Sequence, residues 1–357
     1  MSTQTDLDVL ILGHGLAGGL LAWHLIQKGL RVTVIDDPQS LSASRVAAGL
    51  FNPVTGQRLV KFKHADRFLP VARECYHALE KRFGKTFFHD MGMVRLIRSN
   101  HDQLVWGKRK NDPEYDSYLG EYFDRNTSPY VHDPLGSFRQ HRTGYVDTTV
   151  LLDTLSEFFR GNDSFIDARI DYKEISFEKG QVTALDIRAK QIIFCEGYRA
   201  TGNPWFSWLP FKPAKGEILA LQTDTELPEQ IINAGKWLLP STEGLFKTGA
   251  TYQWHELDEL PTKEAKQELL DFVHALLRHP GNIKIIHHLA GIRPCTKDTK
   301  PYIGMHPHHP ELGFFNGFGS RGSLMIPYHA EQFAAHLCDK TAIDKETDIK
   351  RYWKEDA

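Results

Sequence analysis

Apolar and polar positions are most clearly ordered at the start of the chain. "VLIL" (Val9–Leu12) is an unbroken apolar run, as expected of a strand buried on both faces. From Leu20 to Lys28 apolar positions recur at helical spacing. Gly29 ends that pattern, and "RVTVID" supplies a second apolar run. This order predicts a βαβ unit with parallel strands.

Between the first strand and the helix, Gly13, Gly15 and Gly18 form GxGxxG. Gly13 permits a tight turn, Gly15 lets backbone approach a pyrophosphate, and Gly18 lets the helix pack on the strand. Leu16 and Ala17 follow at the helix entry, where free N–H groups face an anion. Asp36 and Asp37 close the second strand, where a carboxylate accepts hydrogen bonds from a ribose. An acid there argues against a 2′-phosphate, hence against NADP. The unit alone does not separate FAD from NAD. His14 fills a variable position of the motif and reads as incidental.

A second glycine-rich helix start lies near the other end of the chain. In "GFGSRGS", Gly317, Gly319 and Gly322 surround Ser320 and Arg321, and a helix is expected from Ser323 to Cys338. Pro327 reads as lying near the first turn, where proline is tolerated. Two anion-cradling loops so far apart in one chain fit a long ligand such as FAD better than NAD.

The 357 residues suffice for about two domains, and 41% hydrophobic content supports a sizeable core. A net charge of -2 provides no global basic field for nucleic acid. Four cysteines without a CxxC pair argue against a disulfide scaffold or structural zinc and suit a reducing cytoplasm. No apolar run approaches the roughly 20 residues of a membrane span, so a cytoplasmic protein without membrane association is expected. His287-His288 and "HPHH" (His306–His309) lack helical spacing and companion carboxylates, so no metal is expected; they read as a strand and an exposed loop. Residues 99–116, 125–143 and those after Tyr198 read as irregular connections.

Further stretches carry a resemblance: "VAAGLFNP" (Val46–Pro53), "GYVDTTVLLDTL", "QIIFCEGYRA", "KPAKGEILAL", "WLLPSTEGLFKTGATYQ" and "AGIRPCTKDTKPYIGMHP". With the two glycine loops, they resemble the DAO family of flavoenzymes, which includes glycine oxidase and D-amino acid oxidase. The resemblance implies an α/β fold (α+β overall) in which a Rossmann-type FAD-binding domain is interleaved with a substrate domain on a mixed, largely antiparallel sheet. Residues 1–85, 142–210 and 288–357 would form the first domain, and 86–141 and 211–287 the second.

The same resemblance places Ser44, Arg45, Ala48 and Gly49 beside the flavin and Gly197 at its adenine side. Glu196 precedes Gly197 where members often have a small residue. Gly319, Ser320, Arg321, Gly322 and Ser323 would face the flavin's pyrimidine edge. Arg293 would clamp a substrate carboxylate, with Trp237 and Tyr252 lining the pocket. A tyrosine is usual at the Trp237 position, and its loss puts glycine itself in doubt as substrate. Cys295 is out of register with the cysteine that attaches flavin in monomeric sarcosine oxidase, so FAD is expected to be noncovalent.

The implied activity is oxidation of an amino acid or N-substituted glycine-type amine. Hydride passes from the α-carbon to flavin N5, the imine hydrolyses, and oxygen or another acceptor reoxidises the flavin. "FNPVTGQRLVKFKHAD" and "GFGSRGS" also resemble the oxidase half of the bifunctional wobble-uridine tRNA modification enzyme. The alternative is therefore removal of a carboxymethyl group from a modified tRNA. Arg45, Arg58, Lys61, Lys63 and His64 form a basic run, to which Gly107–Lys110 adds another, and the run would then contact phosphate. An NAD-dependent dehydrogenase is a third reading, disfavoured by the second glycine loop.

Overall fold

Along the strand Leu7–Leu12, Val9 and Ile11 enter one hydrophobic core while Leu10 and Leu12 enter another. A strand with a core on each face must be apolar throughout, which explains the unbroken run. It pairs in parallel with Val32–Asp36 and Ile187–Phe194, while Phe165–Asp167 and Leu312–Asn316 extend the parallel set on either side. Helices Leu16–Gln27, Ala65–Phe83, Thr148–Gly161 and Gly322–Asp339 contribute to the core on one face. This computed structural model describes residues 7–39, 41–178, 180–241 and 244–354; the ends of the expected segments 1–85 and 288–357 therefore lie partly outside the described residues.

A second sheet has the order Lys284–Arg293, Ala214–Gln222, Leu245–Gly249, Trp237–Pro240, Ile231–Asn233, Met93–Leu96, Ser137–Gln140, Leu119–Phe123. Its Ile231–Asn233/Met93–Leu96 pair is parallel and its other pairs are antiparallel. Helix Lys263–Leu276 covers one face through Leu269, Val273 and Leu276. The opposite face turns toward the first unit, where Trp237 packs with Met93, Leu239, Ala48 and Leu50.

Strands of the two sheets alternate along the chain, as an interleaved α/β fold requires. The division expected at residue 288 falls inside Lys284–Arg293, whose full length pairs with Ala214–Gln222. The division at 86 is also blurred, because Phe88–Asp90 pairs with Gly144–Val146, which in turn pairs with Leu50–Phe51. Apolar alternation marks a strand but not the sheet it joins.

The first helix runs Leu16–Gln27, with the expected entry at Leu16 and with Gly18 and Gly19 buried within it ahead of the apolar spacing. Two local expectations are corrected. Residues 99–116 are not irregular: a helix spans Asn100–Lys110, and strand Ser137–Gln140 lies within 125–143. That helix buries no residue and so shows no apolar period. Its ends hold it instead, with Ser99 Oγ accepting from Asp102 N (3.1 Å) and Lys108, Arg109 and Lys110 in the last turn. Finally, Pro327 sits in the second turn of Gly322–Asp339. The carbonyl it leaves without a helical partner, that of Ser323, accepts the buried Tyr76 hydroxyl at 2.8 Å.

Candidate active site

The parallel strands open at their C-terminal ends onto a cleft of about 870 Å³. Gly13 follows the first strand, and Asp36 and Asp37 end the second. Ala168–Ile170 follow the third, Cys195–Gly197 the fourth, and Asn316 ends the last. Ligands of open α/β sheets bind at this edge. The opposite wall comes from the second sheet, through Gly216, Ile218, Trp237 and Arg293, and from Tyr252 in the segment after strand Leu245–Gly249.

Gly13 has φ +102°, and a Cβ there would stand 2.6 Å from the Cys195 carbonyl oxygen, so only glycine makes this turn without strain. Gly18 does not line the cleft; a Cβ on it would lie 1.9 Å from Gly13 O, in keeping with its expected packing role. His14 N donates to Asp36 Oδ1 (3.0 Å), and Leu16 N donates to Ser44 Oγ (3.0 Å). Burial raises the Asp36 carboxyl's pKa, against the pull of the His14 N–H. The His14 ring is not incidental. It is buried between Phe159 and Phe165, and burial pushes its pKa down to about 3.

Gly13, Gly15, Leu16, Ala17, Asp36, Asp37, Ser44, Ala48, Gly49, Gly197, Gly319, Ser320, Gly322 and Ser323 all line the cleft, as do Trp237, Tyr252 and Arg293. Arg45 does not; its guanidinium pairs with Asp153 at 2.7 Å. Arg321 also turns away and lies 5.0 Å over the Phe62 ring. Each therefore contributes backbone position at most.

At the substrate-side wall, the Arg293 guanidinium lies over Gly216, where a Cβ would come within 2.1 Å of Nη2. It also lies 4.2 Å over the Tyr252 ring. Nη1 donates in long hydrogen bonds to Lys215 O (3.5 Å) and Thr251 O (3.4 Å). Among the described residues it forms no ion pair with a carboxylate. Trp237 stands on the same wall, in register with Gly249.

The cleft fits FAD on its own geometry. Gly197 lines it at φ +60°, a left-handed conformation that favours glycine, and a Cβ there would meet no protein atom within 4 Å. The start of helix Gly322–Asp339 and the Gly13–Ala17 loop both open onto this space.

Several lining residues went unpredicted. Ala168–Ile170 were findable, since they follow a third parallel strand at the ligand-binding edge. Arg199 lines the cleft and pairs with Asp37 at 3.3 Å, a contact without a short-range signal. Glu196 accepts from Tyr172 Oη (2.8 Å) and Asn203 Nδ2 (3.2 Å), and burial raises its carboxyl to about 7.

The basic run is largely neutralised. Lys61 meets Asp66 (2.8 Å) and Glu114 (3.2 Å), while Lys63 and His64 both meet Glu346. Asp66 stands in the same stretch as the basic run, whereas Glu114 and Glu346 come from distant segments that local spacing does not pair with it. His306 is also misread as exposed: it is buried, its Nδ1 accepts from His308 N and His309 N, and burial lowers its pKa to about 4.

The DAO family model, FAD dependent oxidoreductase, matches residues 8–336. A glycine oxidase of Bacillus licheniformis is 31% identical over 92% of this chain and 92% of its own length. A tRNA 5-methylaminomethyl-2-thiouridine biosynthesis bifunctional protein of Marinobacter nauticus is 25% identical over 94% of this chain, which spans 56% of that protein's length. The crystal structure of a Bacillus cereus glycine oxidase superposes with TM-score 0.80 at 19% identity, covering 94% of this chain and 96% of its own. No described helix is long and apolar enough to cross a membrane. Sequence, fold and cleft agree that the chain belongs to the DAO family of FAD-dependent oxidoreductases.

Proposed function

We propose that this protein oxidises a carboxylated amine, an amino acid or N-substituted glycine, at the α-carbon. The observation that carries this reading is Arg293: a cleft-lining guanidinium with no carboxylate partner among the described residues, propped over Gly216 and Tyr252. Its planar fork suits bidentate capture of a carboxylate. When bound, FAD supplies the hydride acceptor. The chain's part is positioning. Arg293 fixes the carboxylate, Trp237 walls the pocket and offers one indole N–H, and the Gly322–Asp339 helix start presents N–H groups to negative charge. FAD would be held noncovalently, since the Cys295 thiol packs against Gly319 instead of lining the cleft and burial raises its pKa.

Arg293→Ala should retain FAD yet lose on the order of 3 kcal/mol of substrate stabilisation, read as anaerobic flavin bleaching by glycine, sarcosine, D-amino acids and longer N-substituted glycines. Arg293→Lys should recover only part. Wild-type bleaching kinetics in Arg293→Ala would make this residue structural.

A second reading, a carboxymethylaminomethyl group on tRNA, draws on the Marinobacter nauticus relative. Arg58 is exposed and Lys63 is bound to Glu346, so much of the expected phosphate contact would fall to Arg58. Arg58→Glu should weaken a modified-tRNA substrate in a salt-dependent way and leave sarcosine unaffected.

A further inference from the structure

On the cleft side of the second sheet, residues in register run Ile218, Gly249, Trp237, Asn233, Arg95. Paired residues on neighbouring strands share a face. Arg95 therefore shares a surface with Trp237, two strands further out, or roughly 10 Å at about 4.8 Å per strand. Its Nη2 donates to Gly56 O (2.7 Å), which pins the turn closed by Leu59 N and Gly56 O. Among the described residues no carboxylate forms an ion pair with it.

Arg98 follows three residues on, behind the cleft wall at Gly235. Its Nε lies 3.4 Å from Asp102 Oδ2. Its Nη1 lies against cleft-lining Gly235, where a Cβ would stand 2.3 Å away. Among the described residues Asp102 forms an ion pair with Arg98 and acts on Arg95 only through longer-range attraction. Burial, then the charge of Arg98, hold the Arg95 pKa down to about 10. An arriving anion would relieve that repulsion and take charge-assisted hydrogen bonds from both forks.

We infer that Arg95 and Arg98 form a second anion-binding site, one that takes a phosphate or carboxylate at the far end of a substrate longer than a simple amino acid. This rests on Arg293 as clamp for the carboxylate beside the amine. The strand bearing Gly216, beneath the Arg293 guanidinium, is four strands from that bearing Arg95, roughly 19 Å between strand axes. An amino acid cannot span that distance, whereas an amine on an extended or nucleotide-sized scaffold can. Arg98 would then set substrate class by charge, and Arg95 would position it while anchoring the Gly56 turn.

The test is isothermal titration of holoprotein kept reduced and anaerobic, so that ligands bind without turnover. The ligands are N-alkylglycines of graded chain length, each ending in methyl, carboxylate or phosphonate. Beyond a threshold length, an anionic end should tighten binding about tenfold over methyl; the better of carboxylate and phosphonate identifies the anion. Arg98→Ala should abolish that increment and leave sarcosine and the methyl series unchanged. Asp102→Asn, which removes the competing acid, should enlarge it. Inorganic pyrophosphate, which needs no clamp at Arg293, should bind wild-type holoprotein and not Arg98→Ala. Equal binding of methyl and anionic ends at every length, or an increment that survives Arg98→Ala, overturns the second site. Arg293→Ala that binds the methyl series as wild type does overturns the clamp instead, with the pyrophosphate result standing by itself.

Discussion

A single carboxyl gives the cleft a dependence on pH. Glu196 lines it, accepts from Tyr172 and Asn203, and is raised by burial from 4.5 to about 7. In that interval the folded chain keeps a proton that the unfolded chain has already lost. Folding stability should therefore fall as pH rises from about 4.5 to about 7, then level off. Glu196→Gln keeps an acceptor for Tyr172 and removes the slope. Thermal unfolding of apoprotein should find the variant level with wild type near pH 4 and more stable by on the order of 2 kcal/mol near pH 8. Equal gaps at both pH values would show that Glu196 does not titrate as described. Ionised Glu196 also adds negative charge to a cleft built for an anionic cofactor. FAD affinity, read by flavin fluorescence, should fall through pH 7 in wild type and stay flat in Glu196→Gln. Glu196 was conspicuous in the sequence as an acid where a small residue is usual. Its shift was not, because it arises from burial beside Tyr172 and Asn203, which local spacing does not pair with it.

Helix Gly322–Asp339 illustrates how an element can depend on a residue far away in the chain. Pro327 removes the N–H that would reach Ser323 O, and Tyr76 replaces it from helix Ala65–Phe83. Tyr76→Phe leaves a buried carbonyl unpaired, which should cost about 1–3 kcal/mol in denaturant unfolding. In a Pro327→Ala background the backbone supplies its own N–H, so the same change should cost clearly less. Equal costs in both backgrounds would mean that the hydroxyl does not serve that carbonyl. Ser323 lines the cleft, so the single variant should also bind FAD more weakly. What was legible at this scale follows the same logic. The βαβ unit and the second glycine loop announce themselves because turn, period and cap are neighbours in sequence. Asn100–Lys110 does not, since a helix stabilised by its ends and burying nothing leaves no apolar stripe to read. The pairing of Tyr76 with Ser323 lies beyond any local pattern.

Across the whole molecule, the cleft's walls come from two sheets threaded by one chain. Strand Lys284–Arg293 belongs to the second sheet, yet it ends at the cleft, and the next strand, Tyr302–Met305, belongs to the first. A long cofactor in this space touches segments that no short linker separates, so its binding energy stabilises both sheets together. Added FAD should raise the apoprotein's melting temperature with the logarithm of its concentration above Kd. Purified protein should be yellow, and acid precipitation should leave FAD in the supernatant. Hydrogen exchange locates the effect. Protection on FAD binding should appear at Gly13–Ala17 and Ser44–Gly49, and equally at the amides around Gly197 and Gly319–Ser323, which lie more than a hundred residues from that pair and from each other yet line the same cleft. Local opening at either glycine loop exposes the same ligand, so losing one set of contacts should loosen the other. Arg45→Ala, whose side chain points to Asp153, should leave this pattern unchanged, whereas Gly197→Leu, which puts a side chain on a cleft-lining residue held at φ +60°, should weaken it at both ends. Protection confined to the Gly13–Asp36 unit would mean that only a nucleotide moiety is held there and that the second loop serves the fold alone.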